Sequence, residues 1–147
     1  MQALKNLVKR ATSARAAQAW NVESFWSGTN WWTSPACLAY YNHAVCGEAL
    51  PSASEGCRRR LAKALEASSL KPVLDRGISV GCGTGGKEMS LLTDGLVKHF
   101  DLWEVAPNIA EAGMSDAKKK GVEDRVTYRI GDAFADTPLG TYDLVYW

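Results

Sequence analysis

A glycine-rich segment between a short apolar run and a helical pattern constrains this sequence more than any other feature. The apolar run covers residues 77–80, and the glycines that follow are Gly81, Gly83, Gly85 and Gly86. Such glycines let the backbone turn sharply and let a ligand approach without a Cβ in the way. The helix behind them offers unpaired N–H groups and the positive end of its dipole. The segment therefore predicts a strand, a loop and a helix that together hold a nucleotide-like ligand.

Strand and helix patterns alternate from this segment to the end of the chain. The predicted helices cover residues 86–93, ended by Gly95, and residues from Pro107 to the lysines at 118–120, ended by Gly121. The predicted strands cover residues 77–80, 99–105, 126–130 and 142–147. Alternation of this kind is typical of parallel sheets with right-handed crossovers. We expect a Rossmann-like, doubly wound α/β fold with about four parallel strands.

The pattern of the first 70 residues predicts a helical section. A helix is predicted over residues 3–19, and an aromatic stretch with four tryptophans follows at residues 20–32. Ser34 and Pro35 are an N-cap and a first helical residue, which predict a helix to about residue 46, closed by glycine. Ser52 and Glu55 form a capping-box pattern that predicts a third helix to about residue 67. We expect residues 1–70 and 71–147 to be two sections of one domain.

Charge, hydrophobicity and cysteine spacing argue against a nucleic-acid-binding, a membrane-spanning or a metal-binding protein. Lys and Arg number 17 against 16 Asp and Glu, which gives no global attraction to nucleic acid or to an anionic membrane. The chain has no run of about 20 apolar residues that could span a bilayer. The four cysteines include no C-x-x-C pair, so we expect no metal site. Because the sequence has no apolar signal segment, we expect reduced thiols in a cytoplasmic protein, and a disulfide pair is the alternative. The basic, alanine-rich residues 1–22 have a composition found in organellar transit peptides, but we favour the alternative of a first helix with a basic face.

Two acidic residues follow the predicted second and third strands. Glu104 lies roughly 20 residues beyond the glycines, where a carboxylate can accept both hydroxyls of a ribose. Asp132 follows the third strand at the same edge of the sheet, where an acid can accept the exocyclic amine of adenine. The alternatives are a solvated charge at a strand end and an aspartate in a turn. The glycines alone fit both G-x-G-x-x-G and G-x-G-x-G.

Residues 73–147 resemble the first half of a class I S-adenosylmethionine (SAM)-dependent methyltransferase. Four segments carry this resemblance in the family's order: residues 78–85, 103–106, 131–133 and 142–147. The implied cofactor is SAM. The implied cofactor contacts come from the strand ends, the glycine loop and the acids: Ser79, Gly81, Cys82, Gly83, Gly85, Glu88, Glu104, Val105, Asp132, Ala133 and Tyr146.

The sequence departs from the family at Ser79. The family usually has an acid two residues before the first glycine, and that acid helps to hold the amino-acid end of the cofactor. Serine can form hydrogen bonds but carries no charge, so Glu88 could share this task. Alternatively, Glu88 serves in the first helical turn only to complement the helix dipole.

The resemblance also implies an acceptor and, for some acceptors, a base. Transfer from a sulfonium is a direct displacement that depends on alignment, and an oxygen or nitrogen acceptor often needs a base as well. His43 is the only candidate base, although a lone histidine among apolar residues is more often structural. Trp26, Trp31, Trp32 and Tyr40 are candidates for an acceptor pocket. The alternative is that these aromatic residues fill the core between the helices and the sheet.

We therefore expect a SAM-dependent methyltransferase that acts on a small molecule. An alternative is a SAM-binding module that does not catalyse on its own, and a remote one is an NAD(P)-dependent oxidoreductase. The family's sheet normally continues past the fourth strand, whereas this sequence ends at Trp147. On that ground we expect a truncated domain, and a homo-oligomer that completes the sheet becomes plausible.

Overall fold

Four parallel strands form the centre of the fold. The computed structural model of the chain describes residues 14–16, 18, 34–69, 71–134 and 141–146. The strands lie in the order β3-β2-β1-β4, and all three pairings are parallel. Their bounds are Leu74–Val80 for β1, Val97–Glu104 for β2, Val126–Ile130 for β3 and Leu144–Tyr146 for β4. This order confirms the predicted Rossmann-like α/β fold, and the direction of chain progression across the sheet reverses at β1.

Helices precede the sheet and connect its first three strands. The helices are α1 (Pro35–Cys46), α2 (Ala53–Ala67), α3 (Gly86–Thr93) and α4 (Pro107–Lys119). Helix α3 joins β1 to β2, and α4 joins β2 to β3 through a short 3-10 turn at Glu123–Arg125. The predicted bounds of these four helices agree with the observed ones to within about a residue. Residues 14–16 and 18 are helical, which agrees with the predicted helix over 3–19 as far as the structure describes it.

The two serine N-caps start their helices without the expected side-chain hydrogen bonds. Neither Ser34 nor Ser52 forms a side-chain cap hydrogen bond. The Ser52 hydroxyl instead lies 3.0 Å from that of Ser54, and Glu55 pairs with Arg59 at 3.2 Å. The capping-box pattern therefore located the start of α2 correctly, while its side chains bond elsewhere.

The strand bounds differ more from the prediction. The first strand begins at Leu74 rather than residue 77, and β2 covers 97–104 rather than 99–105. The charged residues Asp75, Arg76 and Lys98 interrupt the apolar pattern there, although Leu74 and Val97 are buried partners across the two strands. The fourth strand begins at Leu144 rather than residue 142, and the side chain of Asp143 before it accepts the N–H groups of Asp75 and Arg76. Residue 147 lies outside the described residues.

One face of the sheet packs against the helices and forms the main core. Phe100 and Leu102 of β2 are fully buried there with Met89 and Leu92 of α3. Leu65 of α2 belongs to the same cluster, so the helices before the sheet share its core. A smaller cluster contains Ile78, Trp103 and Ala133, with Val80 and Tyr142 packed against it. The proposed boundary at residue 70 stays a prediction.

The described residues contain no helix that is long and apolar enough to cross a membrane. The same part of the chain gathers no cluster of three or more potential metal-ligating side chains. All four cysteines are free thiols in the structure.

Candidate cofactor-binding site

The glycine loop between β1 and α3 adopts a backbone that other residues rarely adopt. Gly81, Gly83 and Gly85 have φ angles of +71°, +59° and +68°, all in the left-handed region. The N–H groups of Gly81 and Cys82 donate to the Trp103 carbonyl at 2.9 and 3.2 Å, which ties the loop to the end of β2. A Cβ built on Gly81 or Gly83 meets no atom within 4 Å, so open space lies in front of these two glycines. The loop therefore has both the shape and the room for a close ligand.

Glu104 joins the acidic end of β2 to the glycine loop. One of its carboxylate oxygens accepts the N–H of Gly83 at 2.9 Å, and the other accepts the N–H of Ala106 at 2.9 Å. The side chain is buried, yet each carboxylate oxygen has a second lone pair available. The structure thus brings Glu104 and the loop together, and an ordered carboxylate of this kind is suited to accept ligand hydroxyls. Val105, which follows it, is half-buried.

Ser79 and Glu88 form a buried hydrogen-bonded pair behind the loop. The Ser79 hydroxyl donates to Glu88 Oε1 at 2.6 Å, and both residues are almost fully buried. Glu88 Oε2 is buried without a hydrogen-bond partner among the described residues. Burial raises the pKa of Glu88, although the Ser79 hydrogen bond and the charge of Lys87 act in the opposite direction. Glu88 lies in the first turn of α3, as both predicted roles require, and those roles stay open.

The Cys82 side chain lies on the protein side of the loop. It is buried, and desolvation raises the pKa of its thiol to about 12, with the carboxylates of Glu88 and Glu104 adding to the shift. The thiol therefore stays protonated at neutral pH. Its Sγ lies 3.4 Å from the carbonyl of Gly83. Cys82 contributes packing and a protonated sulfur to the site.

Tyr128 of β3 supports the loop, and the sequence reasoning missed it. Its hydroxyl donates to the Thr84 carbonyl at 2.8 Å. A Cβ on Gly85 would lie 2.7 Å from this hydroxyl oxygen, and one on Gly113 of α4 would lie 2.4 Å from it. Burial raises the pKa of Tyr128, so the hydroxyl keeps its proton. The only sequence signal for this contact is Gly113 inside α4, and a glycine alone does not identify the residue that packs against it.

Asp132 and Ala133 follow β3 at the same edge of the sheet. The N–H of Gly131 donates to the Glu104 carbonyl at 2.9 Å, which places this turn beside the acid of β2. Asp132 accepts the N–H of Phe134 at 2.9 Å, which is the bond expected of an aspartate in a turn. Ala133 is buried against the smaller core cluster. The structure therefore places both predicted residues at the site's edge, and their contact with adenine stays a prediction.

Tyr146 lies at the end of β4, directly opposite Ser79 of β1. The ammonium group of Lys87 lies 5.1 Å from the centre of its ring. Burial and the neighbouring Cys57 thiol raise the pKa of Tyr146, which keeps the phenol neutral. Tyr146 therefore belongs to the same edge as the glycine loop, at the point where the sheet order reverses.

The other predicted residues lie on α1 or outside the described residues. His43 and Tyr40 are exposed on α1, and Tyr40 retains 80% of its accessible surface. Trp26, Trp31 and Trp32 lie outside the residues that the structure describes. The catalytic role of His43 and the acceptor-pocket role of the four aromatic residues stay predictions.

Solved structures of similar fold include SAM-dependent methyltransferases. A candidate sarcosine dimethylglycine methyltransferase from Galdieria sulphuraria is 24% identical over 63% of this chain, with a TM-score of 0.52. SAM-dependent methyltransferases from Geobacter sulfurreducens and Thiobacillus denitrificans, both in complex with S-adenosyl-L-homocysteine, are 22% and 21% identical over 58% of this chain, each with a TM-score of 0.47. The match spans 34%, 33% and 34% of those three chains, about a third of their length. No family model and no curated protein matches the sequence.

Proposed function

We propose that this chain, which has the Rossmann-like fold of class I SAM-dependent methyltransferases, binds SAM and transfers its methyl group to a small molecule. The observation that carries the proposal is the contact of Glu104 with Gly83. This contact fixes a carboxylate beside an open, left-handed glycine loop at the carboxyl edge of a parallel sheet. Ligands of open α/β sheets bind at that edge, and a carboxylate at the end of β2 is suited to a ribose.

The residues present fit the proposed cofactor at three points. The open space in front of Gly81 and Gly83 admits a ligand close to the backbone. The second lone pairs of the Glu104 oxygens can accept two ribose hydroxyls. Asp132 follows β3 on the adenine side of the same edge. The sulfonium supplies an electrophilic methyl carbon, and the protein's own task is to align an acceptor with that carbon and to exclude water.

Calorimetry with SAM, S-adenosylhomocysteine and NAD tests the proposed site. We expect binding of the first two ligands and none of NAD. Glu104→Ala should weaken SAM binding by roughly 10–100-fold, because a hydrogen bond to a charged group contributes about 1.5–3 kcal/mol. Glu111→Ala, at an exposed position on α4, is the matched control and should leave the affinity unchanged.

The outcomes separate the candidate functions. Binding of NAD without SAM would favour the oxidoreductase and reject the proposal. An unchanged affinity in Glu104→Ala would mean that the ribose site lies elsewhere, provided that the variant melts cooperatively. If the variant does not fold, Glu104→Gln keeps the side-chain shape and serves instead. Binding of SAM without formation of S-adenosylhomocysteine across a broad acceptor panel would leave a binding module.

A further inference from the structure

An apolar cavity lies among α2, α3 and β4. Its volume is about 260 Å³. Its wall is almost wholly apolar and includes Leu61 of α2, Leu91 of α3 and Leu144 of β4. Cys57, Lys87 and Tyr146 also line it. A cavity of this size and character is suited to a compact apolar molecule rather than to a second nucleotide.

Two residues that line the cavity lie close to the glycine loop in sequence or in strand register. Lys87 is the second residue of α3, which begins where the loop ends. Tyr146 pairs in register with Ser79, two residues before the first glycine of the loop. No residue of the loop itself lines the cavity, so the two are connected through Lys87 and Tyr146 at the carboxyl edge of the sheet.

The charged residues around the cavity are all cationic. Arg58, Arg60 and Lys87 line it, and no acidic residue among the described residues does. Arg58 is paired with Asp94 at 2.9 Å, whereas Arg60 is exposed and forms no ion pair within the described part of the chain. Because the wall is apolar, these side chains contribute to it mainly with their aliphatic stems. The Nε atom of Arg58 is buried without a hydrogen-bond partner in the described part of the chain.

Arg60 also belongs to a second, adjoining cavity. That cavity has a volume of about 250 Å³, and Arg60 and Ala64 line both. Its other lining residues include Lys63, a further cation. Arg60 therefore lies at the boundary between the two cavities.

We propose that this cavity holds the methyl acceptor, a small molecule with an apolar body and one anionic group. This inference rests on the proposed function. The body lies against Leu61, Leu91 and Leu144, and the anionic group pairs with Arg60. In the transfer, a lone pair of the acceptor forms the bond to the methyl carbon. The carbon–sulfur bond breaks with its electrons on sulfur, and a proton on the acceptor atom leaves to water.

The test compares 2-naphthoate with its neutral counterpart 2-naphthamide by calorimetry on the full chain. We expect naphthoate to bind roughly tenfold more tightly, since a hydrogen bond between charged groups is about twice as strong as a neutral one. Arg60→Gln should remove this difference. Ala64→Phe should abolish binding of both probes, because the added ring fills the cavity. The matched controls are Arg59→Gln and Ala67→Phe, which lie on the same helix outside the lining residues.

Binding of S-adenosylhomocysteine is measured in parallel on every variant and should stay unchanged. Equal affinity for naphthoate and naphthamide would overturn the anionic class, and equal loss in Ala67→Phe and Ala64→Phe would overturn the location. Failure of the wild type to bind S-adenosylhomocysteine, while naphthoate still binds, would overturn the proposed function and the acceptor role with it. Binding of both ligands, with loss of naphthoate alone in Ala64→Phe, supports both proposals.

Discussion

At the scale of single residues, the pair of Ser79 and Glu88 is the most informative departure from the expected pattern. Position 79 has a hydroxyl where the resemblance led us to expect an acid. The structure nevertheless places a carboxyl group beside the end of β1, because Glu88 in the first turn of α3 bonds to Ser79 at 2.6 Å. Its second oxygen is buried without a partner in the described part of the chain, which disfavours the charged form.

The pH dependence of stability tests the state of Glu88. Burial raises its pKa in the folded protein, so the folded chain holds this proton more tightly than the unfolded chain. The stabilisation is therefore complete below the unfolded pKa of about 4.3 and is lost as pH rises through the folded pKa. We expect Glu88→Gln, which does not titrate, to lose less stability than the wild type as pH rises above this value.

Thermal melts of both proteins between about pH 4 and pH 8 measure this difference. Glu111→Gln, at an exposed position on α4, is the control and should follow the wild-type profile. If the Tm of Glu88→Gln and that of the wild type change with pH in parallel, the pKa of Glu88 is the same in the folded and the unfolded chain.

At the scale of elements, the sequence predicted the helices better than the strands and the contacts between them. Proline and glycine mark both ends of α1 locally, and the left-handed Gly47 closes that helix as expected. The start of β1 at Leu74 has no such local marker, and the contacts of its first residues are long-range: the N–H of Asp75 bonds to Asp143, 68 residues later in the chain. The position of Glu104 beside the loop could be predicted, because its spacing from the glycines is set by one strand–helix–strand unit.

The role of Tyr128 could not be predicted from the sequence, because it depends on a long-range contact. Its hydroxyl bonds to Thr84, 44 residues away, and nothing in the local pattern of β3 identifies that contact. Tyr128→Phe should lower the free energy of unfolding by about 0.5–1.5 kcal/mol, the usual net contribution of one hydrogen bond. Chemical denaturation measures this loss, and Tyr40→Phe, which alters an exposed tyrosine, should cost nothing. An equally stable Tyr128→Phe would mean that water replaces this bond at no cost.

Asn42 connects α1 to α2 and is the polar centre of that helix pair. Its amide donates to the carbonyls of Leu50 and Ser52 at 2.8 and 2.9 Å, and its oxygen accepts the N–H of Gly56 at 3.0 Å. Asn42→Ala should destabilise the chain by about 2–4 kcal/mol, because backbone groups around a buried site lose their partner. Denaturation measures the effect, with the exposed Asn108→Ala as control. A loss below about 1 kcal/mol would show that the helix pair contributes little to global stability.

At the scale of the whole molecule, parallel strands explain how distant residues form one site. The carboxyl ends of all four strands lie at one edge of the sheet, which brings together the glycine loop, Glu104, the turn at Asp132 and Tyr146. These groups span more than 60 residues of sequence and are joined through backbone hydrogen bonds between neighbouring strand ends. A ligand that touches several of them holds the sheet and the loop in one arrangement, so its binding should stabilise the entire fold.

Thermal melts with S-adenosylhomocysteine measure this coupling between the edge and the whole fold. A ligand that binds only the folded state at 100 times its Kd adds about 2.7 kcal/mol to the free energy of unfolding. For a chain of 147 residues, this corresponds to a rise in Tm of roughly 5–11 °C. The rise should continue logarithmically with ligand concentration, should shrink in Glu104→Ala, and should be absent with NAD at the same concentrations. If the wild-type Tm does not change at concentrations where calorimetry records binding, the ligand also binds the unfolded chain. If NAD raises the Tm equally, this edge of the sheet does not distinguish the two nucleotides.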